Sequence, residues 1–288
     1  MVVEIGSEIR IKNASKELNV WAQENLIIPN PQYRERERRG LWVGNTPKYL
    51  WLYRVDSSDL IVPTGVGKQV RQFLSERDQI SVQLADNDIL EYKGNIPLYD
   101  YQKTAVEAMR RTSCGILQSP CGSGKTQMGI ALAAVLKRKV LWVTHTQDLL
   151  TQSFARAEQY FPAETLGTIT DGKVRLGSHM TFATVQTLSK LDLTQYRDAW
   201  DVVIVDECHR LAGSPTQVTM FYKVMNSLAA RYKYGLSATV HRSDGMIKST
   251  FAVLGPVVYQ VPDEAVADKI MKVRICRRDT GLAINRSC

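Results

Sequence analysis

The chain has 288 residues, of which 44% are hydrophobic, so it can bury a packed core and is not an intrinsically disordered protein. Its apolar runs are short and interrupted by charge, which argues against a membrane-spanning helix, and its first residues lack the apolar stretch of a signal peptide. The formal net charge of +8 favours a polyanionic partner, most plausibly nucleic acid, and the alternative is a basic protein that is merely soluble. Because the five cysteines form no CxxC pair, we expect no disulfide framework or cysteine metal site and a reduced, cytoplasmic setting.

Residues 1–92 are predicted to form a small mixed α/β domain, an accessory unit that could contact nucleic acid. The patterns predict a strand over VEIGSEIRIK, a helix over ASKELNVWAQENL, a hairpin in which YLWLYRV and LIVP flank DSSD, and a helix over GKQVRQFLSE. The segment EYKGNIP, residues 91–97, has the Gly, Asn and Pro of a linker.

Two features of this first domain, a charged stretch and a group of aromatic residues, lead to predictions about solvent exposure. YRERERRG, residues 33–40, mixes charges of both signs and is predicted to be the solvated face of a helix, with a nucleic-acid contact as the alternative. Trp42, Tyr49, Trp51 and Tyr53 alternate in places with basic residues, and we expect most of them to pack in the core.

Strands alternate with helices over residues 93–262, which predicts an α/β domain with a parallel sheet covered on both faces. The predicted strands are CGILQSP, KVLWVT, MTFATV, WDVVIVDE and KYGLSAT. The predicted helices are YDYQKTAVEAMRRT, KTQMGIALAAVLKR and QDLLTQSFARAEQYF.

The stretch SPCGSGKT, residues 119–126, lies between a predicted strand and a predicted helix, as a phosphate-binding loop requires. Gly122 and Gly124 let backbone N–H groups form a concave nest for phosphate oxygens, Lys125 would reach the terminal phosphates and Thr126 would ligate Mg²⁺. The alternative is an ordinary glycine-rich turn, and Ser119 departs from the strict pattern, which begins with glycine. The predicted nucleotide contacts of the loop are Ser119, Cys121, Gly122, Ser123, Gly124, Lys125 and Thr126.

A second signal is DVVIVDECH, an apolar strand that ends in two acids. Asp206 would lie at the carboxyl end of its strand, where ligands bind in such sheets, and is predicted to hold Mg²⁺. Glu207 is predicted to orient or deprotonate the attacking water, so the predicted catalytic residues are Lys125, Asp206 and Glu207. The alternative is a strand end without chemistry.

Together, PCGSGKT, DECH and SAT (237–239) resemble the motifs of superfamily 2 DEAD/DEAH-box helicases and translocases. GLSATVHRSDG, residues 235–245, is similar to a signature of the XPB/UvsW-like branch, and LGPVVYQV fits the strand that ends the first RecA-like domain there. In that family the first loop position is relaxed, which accounts for Ser119. The resemblance covers about residues 97–262 and implies a P-loop NTPase that uses ATP and Mg²⁺ and acts on DNA, with RNA as the alternative.

The resemblance also implies roles for single residues. In YDYQ, Gln102 corresponds to the adenine contact. His209, Ser237 and Thr239 would link the nucleotide site to the nucleic-acid path, with Arg242 and Asp244 on the same surface. The residues expected near the nucleic-acid backbone are Thr146, Gln152, Thr184 and Gln186. The alternative for each is a polar loop residue that faces water, and His145, His179 and His241 show no ligand spacing and are assigned no role.

The sequence also departs from the family pattern. We find no Q-x-x-G-R-x-x-R-like motif with an arginine finger, and residues 263–288 are predicted to be a connector toward a second RecA-like domain. We therefore expect this chain alone to bind ATP, hydrolyse it poorly and not unwind a duplex. The alternative is a turnover-deficient ATP- and DNA-binding module, either a truncated product or one half of a split helicase completed by a second chain. Val240 replaces a usual proline and Tyr99 a frequent arginine.

Overall fold

The computed structural model describes residues 1–170, 172–240 and 245–267. The first part contains a five-stranded sheet, and the second contains an eight-stranded sheet that is mainly parallel. The predicted α/β fold, with a small mixed domain before a parallel-sheet domain, is confirmed. Within the described residues, none of the helices has the length and apolar character needed to cross a membrane.

The first part is a mixed sheet with helices and a separate two-stranded ribbon. Its elements are β1 (Val2–Ile5), β2 (Glu8–Lys12), α1 (Lys16–Asn25), β3 (Ile27–Pro29), α2 (Pro31–Arg38), β4 (Tyr49–Trp51), β5 (Arg54–Asp56), β6 (Asp59–Pro63), α3 (Gly67–Arg71) and β7 (Gln79–Val82). The sheet order is β5-β6-β2-β1-β7, while β3 and β4 pair separately. The predicted hairpin is confirmed as β5–β6. The prediction of one strand over VEIGSEIRIK is wrong, because a turn closed by Gly6 N–H donating to the Glu8 carbonyl separates β1 from β2.

Exposed aromatic side chains lie around α2 and β4, contrary to the expected core packing. Trp42 is 85% exposed, Trp51 59% and Tyr49 43%, whereas Tyr53 is partly buried. Successive residues of a strand point to opposite faces, so Tyr49 and Trp51 share the outer face of β4 while Leu50 packs against the core. The solvated helix predicted near residues 33–40 is confirmed, since α2 buries none of its residues.

The second part is the eight-stranded sheet with helices on both faces. Its elements are α4 (Asp100–Arg110), β8 (Cys114–Gln118), α5 (Lys125–Leu136), β9 (Val140–Thr144), α6 (Gln147–Glu158), β10 (Leu166–Thr170), β11 (Lys173–Arg175), β12 (Met180–Thr184), α7 (Val185–Leu188), β13 (Val202–Asp206), α8 (Pro215–Ser227), β14 (Tyr232–Ser237), α9 (Ile247–Leu254) and β15 (Val257–Gln260). The order is β11-β10-β12-β9-β13-β14-β8-β15, and only the edge strand β11 runs antiparallel to its neighbour.

The central strands β9, β12 and β13 are buried along their whole length. One hydrophobic core includes residues of α4, α5 and α6, and a second includes residues of α7, α8 and α9, so helices cover both faces of the sheet. Parallel strands end at the same edge, which gathers the polar positions after them. These positions are Ser119, Thr146, Thr184, Asp206 and Ser237.

The two parts share a third hydrophobic core. It joins residues of the first part with Ala212, Val218, Met246 and Ala252 of the second. The backbones of the two parts lie close together at Gly65, where an added Cβ would be 2.5 Å from the backbone nitrogen of Gly255. The first part is therefore packed firmly onto the second. Below, the first part is called the accessory domain and the second the motor domain, after the family that the sequence resembles. The boundaries at residues 92 and 262 stay predictions.

Candidate nucleotide-binding site and adjoining polar surface

The glycine-rich loop connects β8 to α5 at the carboxyl edge of the sheet. Gly122 and Gly124 adopt φ of 79° and 83°, in the left-handed region that favours glycine. A Cβ at Gly124 would also lie 2.6 Å from the Gln102 amide nitrogen and would push that side chain off the loop, but the backbone conformation is the main reason for glycine there. α5 begins at Lys125, and its first N–H groups have no partner within the helix, which makes this end suited to an anion.

Ser119 occupies the position where the strict loop pattern has glycine. Its φ is outside the left-handed region, so the backbone does not demand glycine. Its buried hydroxyl lies 2.5 Å from the Ser123 hydroxyl, and its N–H donates to the Ser237 carbonyl at 2.9 Å. The serine thus ties the two ends of the loop together and joins β8 to the end of β14.

Gln102, the predicted adenine contact, lies in the first turn of α4 against the loop. Its Nε2 donates to the Ser123 carbonyl and its Oε1 accepts from the Tyr99 N–H, both at 2.9 Å. The Tyr101 hydroxyl donates to the same Ser123 carbonyl. Gln102 therefore supports the loop, and its amide keeps the capacity for one further donated and one further accepted bond. Its contact with adenine stays a prediction.

Two acids lie at the carboxyl end of β13, Asp206 as its last residue and Glu207 directly after it. Asp206 is only 3% exposed, and its carboxylate accepts from the Glu207 N–H at 3.0 Å and the Ser153 hydroxyl at 3.3 Å. Burial, with help from the neighbouring Glu207 charge, raises the pKa of Asp206 to about 6. A buried carboxylate with so few partners is a group that a cation would stabilise.

Glu207 connects the acids to the loop. Its Oε1 lies 3.4 Å from Lys125 Nζ and its Oε2 lies 3.3 Å from His209 Nδ1. Burial raises the pKa of Glu207, but His209 and Lys125 outweigh that effect and hold the pKa below its usual value. Its backbone φ of +48° is strained for a residue with a side chain, and such strain concentrates at functional sites.

These residues fit a magnesium-bound nucleoside triphosphate. Carboxylate and hydroxyl oxygens are the ligands that Mg²⁺ prefers, and Asp206 together with Thr126 in the first turn of α5 offers them. Lys125 is 8% exposed with its charge aimed at Glu207, where a phosphate would compete for it. The Glu207 Oε2 atom is buried, with His209 Nδ1 at 3.3 Å, and it keeps capacity for a further donor.

His209, Ser237 and Thr239, the predicted linking residues, do lie together beside the acids. His209 Nδ1 is 2.9 Å from the Ser237 hydroxyl oxygen, which donates to the Thr239 carbonyl at 2.6 Å. Because Ser119 N–H donates to the Ser237 carbonyl, contacts run from the loop through Ser237 and His209 to Glu207 and back to the loop lysine. Their role in coupling stays a prediction.

The four predicted nucleic-acid residues lie along the same edge or beside it. Thr146 caps α6 by accepting from the Leu149 N–H at 3.3 Å, and Thr184 caps α7 by accepting from the Thr187 N–H at 3.2 Å. Gln152 is exposed on α6. The two threonine hydroxyls thus have local structural tasks as well. Arg242, Asp244 and His241 lie outside the described residues.

His145, for which the sequence predicts no role, is the hub of this edge, in the sense that glutamines of two different helices contact it. Gln186 Nε2 donates to the His145 carbonyl at 2.9 Å and lies 3.2 Å from its Nδ1. On the other side, Gln217 Nε2 lies 3.3 Å from His145 Nε2. Burial, with a smaller effect of Arg210, lowers the pKa of His145. His145 could have been found from the sequence, because it directly follows the buried strand β9. No sequence pattern points to Gln217 on α8.

Comparison with known proteins decides the family. Residues 95–242, just over half of the chain, match the family model described as "Type III restriction enzyme, res subunit". This chain belongs to that family.

The relatives agree with the predicted branch. The chain is 31% identical over 215 residues to the DNA 3'-5' translocase XPB2 of Sulfurisphaera tokodaii, covering 72% of this chain and 46% of that protein. It is 24% identical over 225 residues to the DNA 3'-5' helicase XPB of Mycobacterium tuberculosis, covering 73% and 40%. The resemblance to XPB proteins is therefore confirmed, and the chain spans less than half the length of these relatives.

Solved structures agree on the fold. A crystal structure of the UvsW helicase from Bacteriophage T4 matches with a TM-score of 0.63 and 19% identity, covering 90% of this chain and 100% of that chain. A second T4 UvsW structure matches with the same TM-score and 20% identity, and there the match covers 57% of that chain. The RecA-like fold and the small sheet domain before it are confirmed.

Proposed function

We propose that this chain is the ATP-binding half of an ATP-dependent DNA helicase or translocase. The observation that carries the proposal is the Lys125–Glu207 ion pair, set beside the buried Asp206 and under a loop whose glycines hold a phosphate-binding conformation. An ordinary glycine turn after β8 would not bring its lysine to two acids at the end of another strand, β13.

Each residue has a role that follows from its position. Lys125 and the N–H groups at the start of α5 bind the phosphates, and Glu207 orients the attacking water and accepts its proton. Asp206 and Thr126 hold Mg²⁺, which neutralises phosphate charge when bound. Phosphate would compete with Glu207 for Lys125 and so release the carboxylate for its task.

The same contacts suggest how the nucleotide reaches the nucleic-acid surface. A movement of Glu207 would change its contact with His209, which also contacts the Ser237 hydroxyl. Ser237 in turn is hydrogen-bonded to Ser119 of the loop and to Thr239. Thr146, Gln152, Thr184 and Gln186, with His145 between the loops, would contact the backbone of the nucleic acid. DNA is proposed because the matched XPB proteins are named as DNA translocases and helicases.

Turnover needs a further cation. Within the described residues, Lys125 is the one lysine or arginine at ion-pair distance from Glu207. An arginine supplied by another domain is worth on the order of 10³–10⁵ in rate in related phosphoryl transfers. We therefore propose weak hydrolysis by this chain alone, completed by a second RecA-like domain of the same or another chain. A turnover-deficient ATP- and DNA-binding module is the second candidate, and a cytoplasmic location stays a prediction.

ATP hydrolysis by the purified chain tests the proposal, with and without single-stranded and forked DNA. We expect Lys125→Ala to lose nucleotide binding, and Glu207→Gln to bind nucleotide without turnover. Lys103→Ala, which removes an exposed lysine of α4, is the matched control. Nucleotide binding without any turnover in the wild type would favour the second candidate. If Lys125→Ala bound nucleotide as well as the wild type, the proposed site would be wrong.

A further inference from the structure

A basic surface lies on the accessory domain, away from the ATP site. Arg34, Arg36, Arg38 and Arg39 are all exposed. Glu35 pairs with Arg38 and Arg39, but Arg34 and Arg36 have no acidic partner within the described part of the chain. Because Arg34 and Arg36 are not neutralised by a neighbouring acid, their positive charge is available to bind an anionic ligand.

The same surface exposes aromatic rings. The Trp42 ring is 85% exposed although it lies against Gly44, where an added Cβ would be 3.1 Å from the ring. Trp51 is 59% exposed, and Lys48 Nζ lies 6.0 Å from the centre of the Tyr49 ring. Solvated rings of this size beside cations are typical of a binding surface.

This surface continues the polar edge of the motor domain. A groove of about 460 Å³ separates α2 from the motor domain. It is lined on one side by Arg36, Arg39, Leu41 and the Glu35 carboxylate that pairs with Arg39, and on the other by Ser214, Pro215 and Met246. Ser214 caps α8, and Gln217 in the first turn of α8 contacts His145, the hub of the motor edge. The start of α8 therefore lines the groove and also contacts the polar edge of the motor domain.

We propose that the arginine–tryptophan patch, defined by Arg34, Arg36, Arg39, Trp42, Lys48, Tyr49 and Trp51, binds an unpaired DNA strand as it leaves the motor edge. The arginines and Lys48 neutralise phosphates, and the rings stack on bases. The occupant is unpaired because a duplex hides the faces of its bases from a stacking side chain. The proposal rests on the proposed function, since it extends the nucleic-acid path of the motor domain.

Binding of labelled oligothymidylate and of a blunt hairpin duplex, measured over a salt series, tests the patch. We expect Trp42→Ala to weaken oligothymidylate binding by about 5- to 150-fold and to leave duplex binding nearly unchanged. Arg36→Gln should reduce the log–log salt slope for the single strand by about 0.7. Arg77→Gln is the matched control, because Arg77 is an exposed arginine of the same domain near β7 and outside the patch. It should bind like the wild type.

Tryptophan fluorescence gives a second readout that needs no large truncation. Trp142 and Trp200 are fully buried, so a stacked base would quench mainly exposed rings such as Trp42. Oligothymidylate should quench the wild type, and Trp42→Phe should lose much of that quenching. Suppose that the wild type binds both ATP and DNA, and that the Trp42 and Arg36 variants match it in affinity and quenching. That result would overturn the proposed patch and leave the proposed function standing. A wild type that binds no DNA would overturn the proposed function as well.

Discussion

Lys233 is a buried cation at the junction of the two domains, and its replacement should change how stability depends on pH. It is 2% exposed, and its Nζ donates to the Ser7 carbonyl of the accessory domain at 3.1 Å and to the Met225 carbonyl of α8 at 2.9 Å. Burial lowers the pKa of Lys233 from 10.5 to about 7, against the smaller opposing effect of Glu8.

The sign follows from which state binds the proton. Between about pH 7 and 10.5 the unfolded chain keeps the Lys233 proton and the folded chain has lost it, so raising the pH stabilises the folded state. Each pH unit in this window contributes about 1.4 kcal/mol, and the whole window on the order of 5 kcal/mol. Below about pH 7 the folded chain carries the full cost of a buried charge.

The test compares Lys233→Met with the wild type by urea denaturation from about pH 7 to about pH 9.5. Methionine cannot titrate, so the stability of the variant relative to the wild type should fall by roughly 3 kcal/mol over that range. Other titrating groups are common to both proteins and cancel in the difference. At any single pH, the difference in the free energy of unfolding also includes the cost of the two carbonyls left without a donor, about 1–3 kcal/mol each. The decisive quantity is therefore how this difference changes with pH.

Lys103→Met is the control, since Lys103 is exposed and its acidic partner among the described residues is Asp100 on the same helix. This control should follow the wild type at every pH. Parallel pH profiles for Lys233→Met and the wild type would refute the reasoning, because they would mean that Lys233 keeps its proton in the folded chain throughout the range.

Two further changes have expected outcomes. Asp206→Asn should abolish ATP turnover and, in EDTA at neutral pH, should stabilise the chain by up to about 3 kcal/mol. The reason is that the pKa of Asp206 is raised to about 6, so above that pH the folded state carries the carboxylate charge at a cost. A variant less stable than the wild type in urea denaturation would contradict this. Gly65→Ala should destabilise the chain by about 1–3 kcal/mol, because the new methyl group meets backbone atoms of Ala252, Val253 and Gly255. Gly67→Ala, which meets only the tip of Ile9, is its control, and equal thermal midpoints for the two variants would show that the interface yields.

The motor domain could be predicted from the sequence because its signals are local. The buried strands β8, β9, β12, β13 and β14 are short apolar runs, the loop directly follows β8, and the DECH stretch begins with the last residue of β13. Parallel-sheet geometry then brings their ends together without further information. The Lys125–Glu207 ion pair follows from that geometry.

What the sequence did not reveal depends on contacts between distant residues. The His145–Gln217 contact joins positions 72 residues apart, and neither residue lies in a pattern that announces it. The aromatic residues near β4 were misjudged because their hydrophobicity favours burial, whereas the burial of a short ribbon depends on which face the rest of the domain covers. The edge hairpin β10–β11 was also missed, since its second strand, KVR, is polar and exposed on every residue.

The shared core determines how the accessory domain could act. Its apolar residues and those of the motor domain form one cluster, with Gly65 packed against the backbone of Gly255 and the Tyr222 hydroxyl donating to the Leu52 carbonyl across the junction. Such an interface resembles a domain interior more than a hinge, so the accessory domain should move together with the motor domain. In that case the arginine–tryptophan patch keeps a fixed position relative to the ATP site. A patch of this kind would hold the strand while another RecA-like domain moves, and it would not itself step along the DNA.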